Sequence, residues 1–225
     1  MSISLDNTAA LVVLSGGQDS VTCLHWALNR YDRVHALILD YGQRHAVEVQ
    51  CAEAICVRHD VPYEVADVPL ALLTPHSALT QSSGPLANAF LPARNLIFLT
   101  LAAAHAVALG ARDVVTGVCQ ADHTDYPDCR ASTIAALTRT INLGLGVDDS
   151  QGLIILAPLM DMGKAGIFAM AQSLGVLDEI IEDTHTCYAG DRSLRHAWGY
   201  GCGECSACSQ RRSGYLDFTL ARREA

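Results

Sequence analysis

An apolar run, Leu11 to Leu14, stops at Ser15-Gly16-Gly17-Gln18-Asp19-Ser20, and a helical pattern with Val21, Leu24 and Leu28 begins at once. A strand that turns through two glycines into a helix opens a β-α-β unit, and this junction restricts the fold more than any other stretch. The same alternation continues down the chain. Ala9–Ser15, Val34–Asp40, Tyr63–Val68, Asp113–Val118 and Leu153–Leu159 read as strands, and helical patterns occupy 46–60, Asn95–Leu109, Ala131–Gly146 and Gly163–Val176. Strands separated by helices pair in parallel with crossover helices packed on the sheet. The expected fold is therefore α/β and doubly wound, with a mostly parallel five-stranded sheet.

In such a sheet ligands sit beyond the carboxyl ends of the strands, where a glycine turn lets backbone amides approach a phosphate. The N-terminus of the following helix adds its partial positive charge. Ser15, Gly16 and Gly17 would form the cradle, and Ser20 would add a hydroxyl. The turn lacks the lysine of a Walker motif and the third glycine of a dinucleotide fingerprint, which disfavours both of those mechanisms. "SGGQDS" after an apolar strand instead resembles the pyrophosphate loop of the ATP pyrophosphatase family, which binds ATP and releases pyrophosphate while transferring AMP. That resemblance puts Asp19 near the metal or phosphate.

Composition narrows the partners. The 225 residues suffice for one large domain with an appendage, and half of them are hydrophobic, which excludes disorder. A net charge of −9 with scattered Lys and Arg lacks the surface that long nucleic-acid contacts require, so small-molecule substrates are expected and nucleic acid is not. The first residues carry no positive region ahead of the apolar run, which points to a cytoplasmic protein. Leu96–Leu109, the most apolar stretch, is too short to span a bilayer and contains His105, so no membrane partner is expected. From Pro69 to Ala93 the chain has no periodicity, and a loop that long is a candidate lid.

Four of the nine cysteines are grouped: Cys202, Cys205 and Cys208 are separated by two residues each, and Cys187 lies upstream. Four thiolates at such spacing close a tetrahedral structural zinc site, and an iron–sulfur cluster is the rival the spacing leaves open. This divides the chain into an ATP-binding α/β domain, 1–175, and a small C-terminal metal-binding segment, 176–225, packed on it. Cys23, Cys51 and Cys56 fall on helical patterns and read as small core residues, whereas Cys129 sits in a polar loop. His25, His35, His59 and His105 read as structural or exposed. His45 adjoins "DYGQR" and would help position substrate.

"LDYGQRH" after the second strand, "ARNLIFLTLAA", "TGVCQADHTDYPDCR" and "CGECSACSQRRSGY" join "SGGQDS" in order along nearly the whole chain. The set resembles the 7-cyano-7-deazaguanine synthase family of queuosine precursor biosynthesis. The resemblance implies an adenine nucleotide alpha hydrolase-like fold, a structural Zn2+, ATP used with Mg2+, and a homodimer. It further implies a ligase that joins ammonia to 7-carboxy-7-deazaguanine and makes the nitrile through an adenylated acid, an amide and an adenylated amide.

Carried over by residue, ATP falls on Leu14, Ser15, Gly16, Gly17, Gln18, Asp19, Ser20, Val21, Thr22, Cys23 and Leu24, and on Tyr41, Gln43 and Arg44. Asp122, Tyr126, Asp128 and Arg130 would bind the substrate's guanine-like edge. Asp19, Ser20, Arg94 and Lys164 would be catalytic. Cys187, Cys202, Cys205 and Cys208 would hold zinc. Ala93 stands where the family usually shows glycine before Arg-Asn. The alternative is a tRNA thiolase or other tRNA-modifying enzyme with the same loop and an iron–sulfur cluster. The acidic balance and the short chain count against it.

Overall fold

Strand β1 (Asp6–Val13) runs into helix α1 (Gln18–Leu28), and β2 (Arg33–Asp40), α2 (Val47–Arg58) and β3 (Tyr63–Asp67) follow. This computed structural model describes residues 3–43, 47–70, 91–122 and 126–224. The candidate lid lies mostly outside the described residues, as do Arg44 and His45. The second half contains α3 (Arg94–Leu109), β4 (Ala111–Val115), α4 (Ala131–Leu145), β5 (Ile154–Leu156), α5 (Lys164–Ser173), α6 (Leu177–Asp183) and α7 (Ser206–Glu224). A short antiparallel pair, β6 (Arg195–His196) with β7 (Gly199–Tyr200), precedes α7.

The five main strands lie in the order β3-β2-β1-β4-β5 and every neighbouring pair is parallel. This is the expected doubly wound α/β sheet. Strand order reverses at β1, so the crevice between the carboxyl ends of β1 and β4 is the topological switch point.

Side chains alternate across β1 with period two. Ala10, Val12 and Leu14 join a core with Val21 and Leu24 of α1, Ile55 of α2, Ile167 and Phe168 of α5 and Phe218 of α7. Ala9 and Leu11 face the other way, toward Leu99 of α3 and Ile134 of α4. Leu11, Leu14, Leu24 and Ile38 are essentially sealed from solvent, and each such side chain contributes about 1.5–3 kcal/mol of burial. The central strand is apolar on both faces because helices cover both.

The C-terminal segment shares this core. Phe168 of α5 stacks on Phe218 of α7 at 5.9 Å between ring centroids and meets Tyr215 edge-on at 5.4 Å. Arg211 of α7 is buried, with Nε donating to the Trp198 carbonyl at 2.8 Å, Nη1 to Thr186 Oγ1 at 2.9 Å and Nη2 to the Ile180 carbonyl at 2.6 Å. One guanidinium thus ties α7 to α6 and to the chain between them. Among the described residues, no helix is long and apolar enough to cross a membrane.

Candidate active site

The turn after β1 is held by its own serines. The Ser15 amide donates to Ser20 Oγ at 3.1 Å, the two hydroxyls lie 3.0 Å apart, and the Gly17 amide donates to Ser15 Oγ at 3.3 Å. Gly17 caps α1 without a side chain, which leaves the helix N-terminus open to the crevice. Gly16 adopts φ +82°, and a Cβ there would lie 2.1 Å from the Glu48 carbonyl oxygen. Gly117, after β4, is as tightly placed, since its Cβ would lie 2.8 Å from the Ser20 amide nitrogen. Two helices and a strand end therefore close on this turn with no room for side chains.

A cleft opens over the turn, lined by Leu14, Ser15, Gly17, Gln18, Asp19 and Ser20 and, from other elements, by Tyr41, Gln43, Glu48, Arg94, Asp122, Tyr126, Lys164 and His185. Lys164, the first residue of α5, forms an ion pair with Asp19 Oδ2. Burial opposes the lysine's charge, but Asp19, Cys119 and Asp122 hold it above its ordinary pKa. Arg94, the first residue of α3, lies over the rings of Tyr41 and Tyr126, 5.8 and 6.0 Å from their centroids. It lines the cleft as a stacked guanidinium and not as a solvated helix-end charge.

Several buried polar atoms here have no hydrogen-bond partner: both amide atoms of Gln18, Asp19 Oδ1, and both ring nitrogens of His185. Buried polar groups are nearly always paired, so unpaired ones converging on a cleft mark where a ligand or water binds. Burial, partly offset by Cys187, lowers the His185 pKa and keeps the ring neutral at pH 7.

The loop before α4 divides its residues. Asp122 and Tyr126 line the cleft, and Asp122 also accepts the Cys119 amide at 2.9 Å. Asp128 and Arg130 are not among the lining residues. Asp128 is buried, and its Oδ2 accepts the Asn95 amide at 3.0 Å, capping α3 from a distance. Ala93 precedes that helix at φ 59° and supplies no side-chain cap, so Asp128 does the work that a Ser or Asp at the N-cap would do. Of the residues matched to ATP along the first turn, Val21, Thr22, Cys23 and Leu24 lie inside α1, where they pack the core instead of facing the cleft. Cys129 is a buried thiol that accepts a hydrogen bond from Asn95 Nδ2, and burial with Asp122 and Asp128 pushes its pKa up to about 12. Among the described residues none activates it as a sulfur nucleophile.

The four grouped cysteines converge. Their Sγ atoms all lie within 4.8 Å of one another, with Cys202 and Cys208 at 3.9 Å and Cys205 and Cys187 at 4.0 Å. Thiolates about 2.3 Å from a tetrahedral zinc are about 3.8 Å apart, so the set fits that ion. The Cys202 amide donates to Cys187 Sγ at 3.3 Å and the Cys205 amide to Cys202 Sγ at 3.4 Å, which favours sulfur as thiolate. A second group, His25, His59 and Glu179, leaves no motif in the sequence because it unites α1, the end of α2 and α6. His25 Nε2 lies 2.5 Å and His59 Nε2 3.1 Å from Glu179 Oε2, while Arg58 donates to Oε1 at 2.9 Å.

Glu48 is also invisible to motif reading, since it falls within an ordinary helical pattern. Its place in the cleft comes from the packing of α2 on the glycine turn.

Comparison with known proteins agrees with this geometry. A chain from Nitrobacter hamburgensis named 7-cyano-7-deazaguanine synthase is 44% identical, over 93% of this chain and 94% of its own. One of the same name from Helicobacter pylori is 41% identical over 95% and 98%. Among solved structures, the U34-tRNA thiolase NcsA from Methanococcus maripaludis with its 4Fe-4S cluster aligns over 97% of this chain and 68% of its own, with a TM-score of 0.50 at 15% identity, a likeness of fold alone. The model of the queuosine biosynthesis protein QueC matches residues 9–219, and the chain belongs to that family of 7-cyano-7-deazaguanine synthases.

Proposed function

We propose that the chain joins ammonia to 7-carboxy-7-deazaguanine at the expense of ATP and delivers 7-cyano-7-deazaguanine through two adenylations at one site. A carboxylate is a poor acyl donor, and AMP converts its oxygen into a leaving group. Pyrophosphate would depart over the α1 N-terminus, between the Ser15, Gly17 and Ser20 donors and the Lys164 ammonium, which are held in place before the charge develops. Asp19 keeps Lys164 oriented and has Oδ1 free for the Mg2+ that accompanies ATP. Tyr41 and Gln43, past the end of β2, would face the nucleoside, with Arg44 in the same stretch. Arg94 would meet a phosphate or carboxylate oxygen, and Asp122 would accept from the N–H groups of a guanine-like edge, with Tyr126 beside it. Asp128, which caps α3, would support the substrate through that helix, and Arg130 would act from the same loop.

Cys187, Cys202, Cys205 and Cys208 would hold zinc as a closed structural site with no open position for substrate. In this reading residues 1–175 carry most of the nucleotide site, while 176–225 would hold the metal and add His185 to the cleft, in a cytoplasmic homodimer that takes small molecules only.

The unpaired polar atoms of Gln18, Asp19 and His185 around a glycine turn at the switch point carry the reading. The test is incubation of the purified protein with ATP, Mg2+, ammonium and 7-carboxy-7-deazaguanine, with mass spectrometry of bases and nucleotides. Nitrile with AMP and pyrophosphate is expected, and Asp19→Ala should abolish AMP formation while keeping the fold. Absence of acid-dependent AMP in the wild type would overturn the reading.

A further inference from the structure

Nitrile formation strips one nitrogen of three protons. One leaves when ammonia displaces AMP from the adenylated acid, as the C–N bond forms and the C–O bond breaks. A second leaves, to water, when the amide oxygen attacks the α-phosphate of ATP, taking up AMP as the bond to pyrophosphate breaks. The third leaves when the C–O bond of the adenylated imidate breaks and C≡N forms. No oxidant is involved, and each step needs an acceptor for its proton.

Three carboxylates among the described residues line the cleft: Glu48, Asp19 and Asp122. Asp19 is committed to Lys164, and Asp122 to the Cys119 amide. The Glu48 carboxylate accepts no hydrogen bond from the described residues. Its backbone is fixed against the phosphate turn, because the Glu48 carbonyl and the Ala52 amide occupy the space a Gly16 side chain would need. It is half-buried, so a proton it takes up can pass to water.

We propose that the Glu48 carboxylate is the proton acceptor for the ammonia nitrogen, taking a proton as AMP leaves the acyl carbon and again as the nitrile forms. It returns each proton to solvent between steps. The charged and titratable groups around it are Arg94 of α3, Tyr41 after β2, Cys51 on its own helix and Cys187 of the C-terminal segment. Burial raises its pKa to about 7 against the opposing charge of Arg94, which is where a general base works best at neutral pH.

This inference rests on the ligase reading, and the test separates the two. Acid-dependent exchange of labelled pyrophosphate into ATP reports adenylation alone, without ammonia, whereas amide and nitrile formation report the later steps. Glu48→Gln keeps the size of the side chain and should retain exchange and melting temperature. Its rate of amide and nitrile formation at saturating ammonia should fall about a hundredfold or more. At constant free ammonia, wild-type turnover should rise with pH through an ionisation near 7, and Glu48→Asp should move that ionisation. Exchange lost together with amide formation in a folded Glu48→Gln variant, or unimpaired amide formation, would overturn the proposal. So would a pH profile identical in wild type and Glu48→Asp, a comparison that holds even if Glu48→Gln does not fold. Absence of exchange in the wild type would instead refute the ligase reading itself.

Discussion

Replacing Gly16 by alanine tests how closely α2 is set against the phosphate turn. The added Cβ would lie 2.1 Å from the Glu48 carbonyl oxygen and 2.9 Å from the Ala52 nitrogen, both backbone atoms that cannot rotate away. The residue would also keep φ near +82°, which costs an L-residue about 1–2 kcal/mol. Moving the start of α2 aside resembles overpacking a core, about 1–3 kcal/mol more. Gly146 supplies the control, because its φ is +69° and a Cβ added there would meet nothing within 4 Å. Gly146→Ala should therefore cost the conformational part alone, about 1 kcal/mol, and Gly16→Ala about 4 kcal/mol. For a chain of this size that corresponds to melting temperatures lower by about 3 °C and about 12 °C. Thermal unfolding followed by circular dichroism measures both. Equal losses in the two variants would refute the close approach of α2 to the turn.

Ala93→Gly should stabilise the protein by about 1 kcal/mol, since alanine at φ 59° carries a strain that glycine does not; a lower urea midpoint would contradict this. Burial opposes the charge of Glu179, but hydrogen bonds from His25 and His59 outweigh it and hold the carboxyl down to about 2. A carboxylate with a depressed folded pKa stabilises the fold above its unfolded pKa, so Glu179→Gln should cost about 2 kcal/mol at pH 7. That difference should close as pH falls from about 4.5 toward 2, and denaturation midpoints that differ equally at all pH values would exclude it. Cys205→Ser should release the bound metal and lower stability, read by metal analysis and melting; a variant with full metal content and unchanged stability would refute the four-thiolate site.

The sheet is legible in the sequence because its signals are local. β1 is apolar across both faces, the two glycines sit at the strand-to-helix junction, and the cysteine spacing needs only a count. Residues whose role depends on distant neighbours are harder to read. Asp128 lies in a polar loop that resembles a substrate loop, yet it turns inward to the start of α3, where Ala93 precedes the helix and supplies no cap. His25, His59 and Glu179 are 34 and 120 residues apart in sequence and meet only once α6 folds back on α1 and α2. Glu48 falls on a helix of ordinary pattern, and only the absence of a side chain at Gly16 brings that helix to the cleft.

The contact between α7 and α5 reaches further than its size suggests. Gly214 lets α7 approach so closely that a Cβ there would sit 2.3 Å from Lys164 Cβ, and α7 itself starts between Cys205 and Cys208. Lys164 in turn holds Asp19. Cysteine cluster, helix, lysine and glycine turn thus form one mechanical linkage. A loosened cluster would therefore be felt at Lys164 and the glycine turn as well as at the C-terminus, which makes it a strut of the cleft and not a separate ornament.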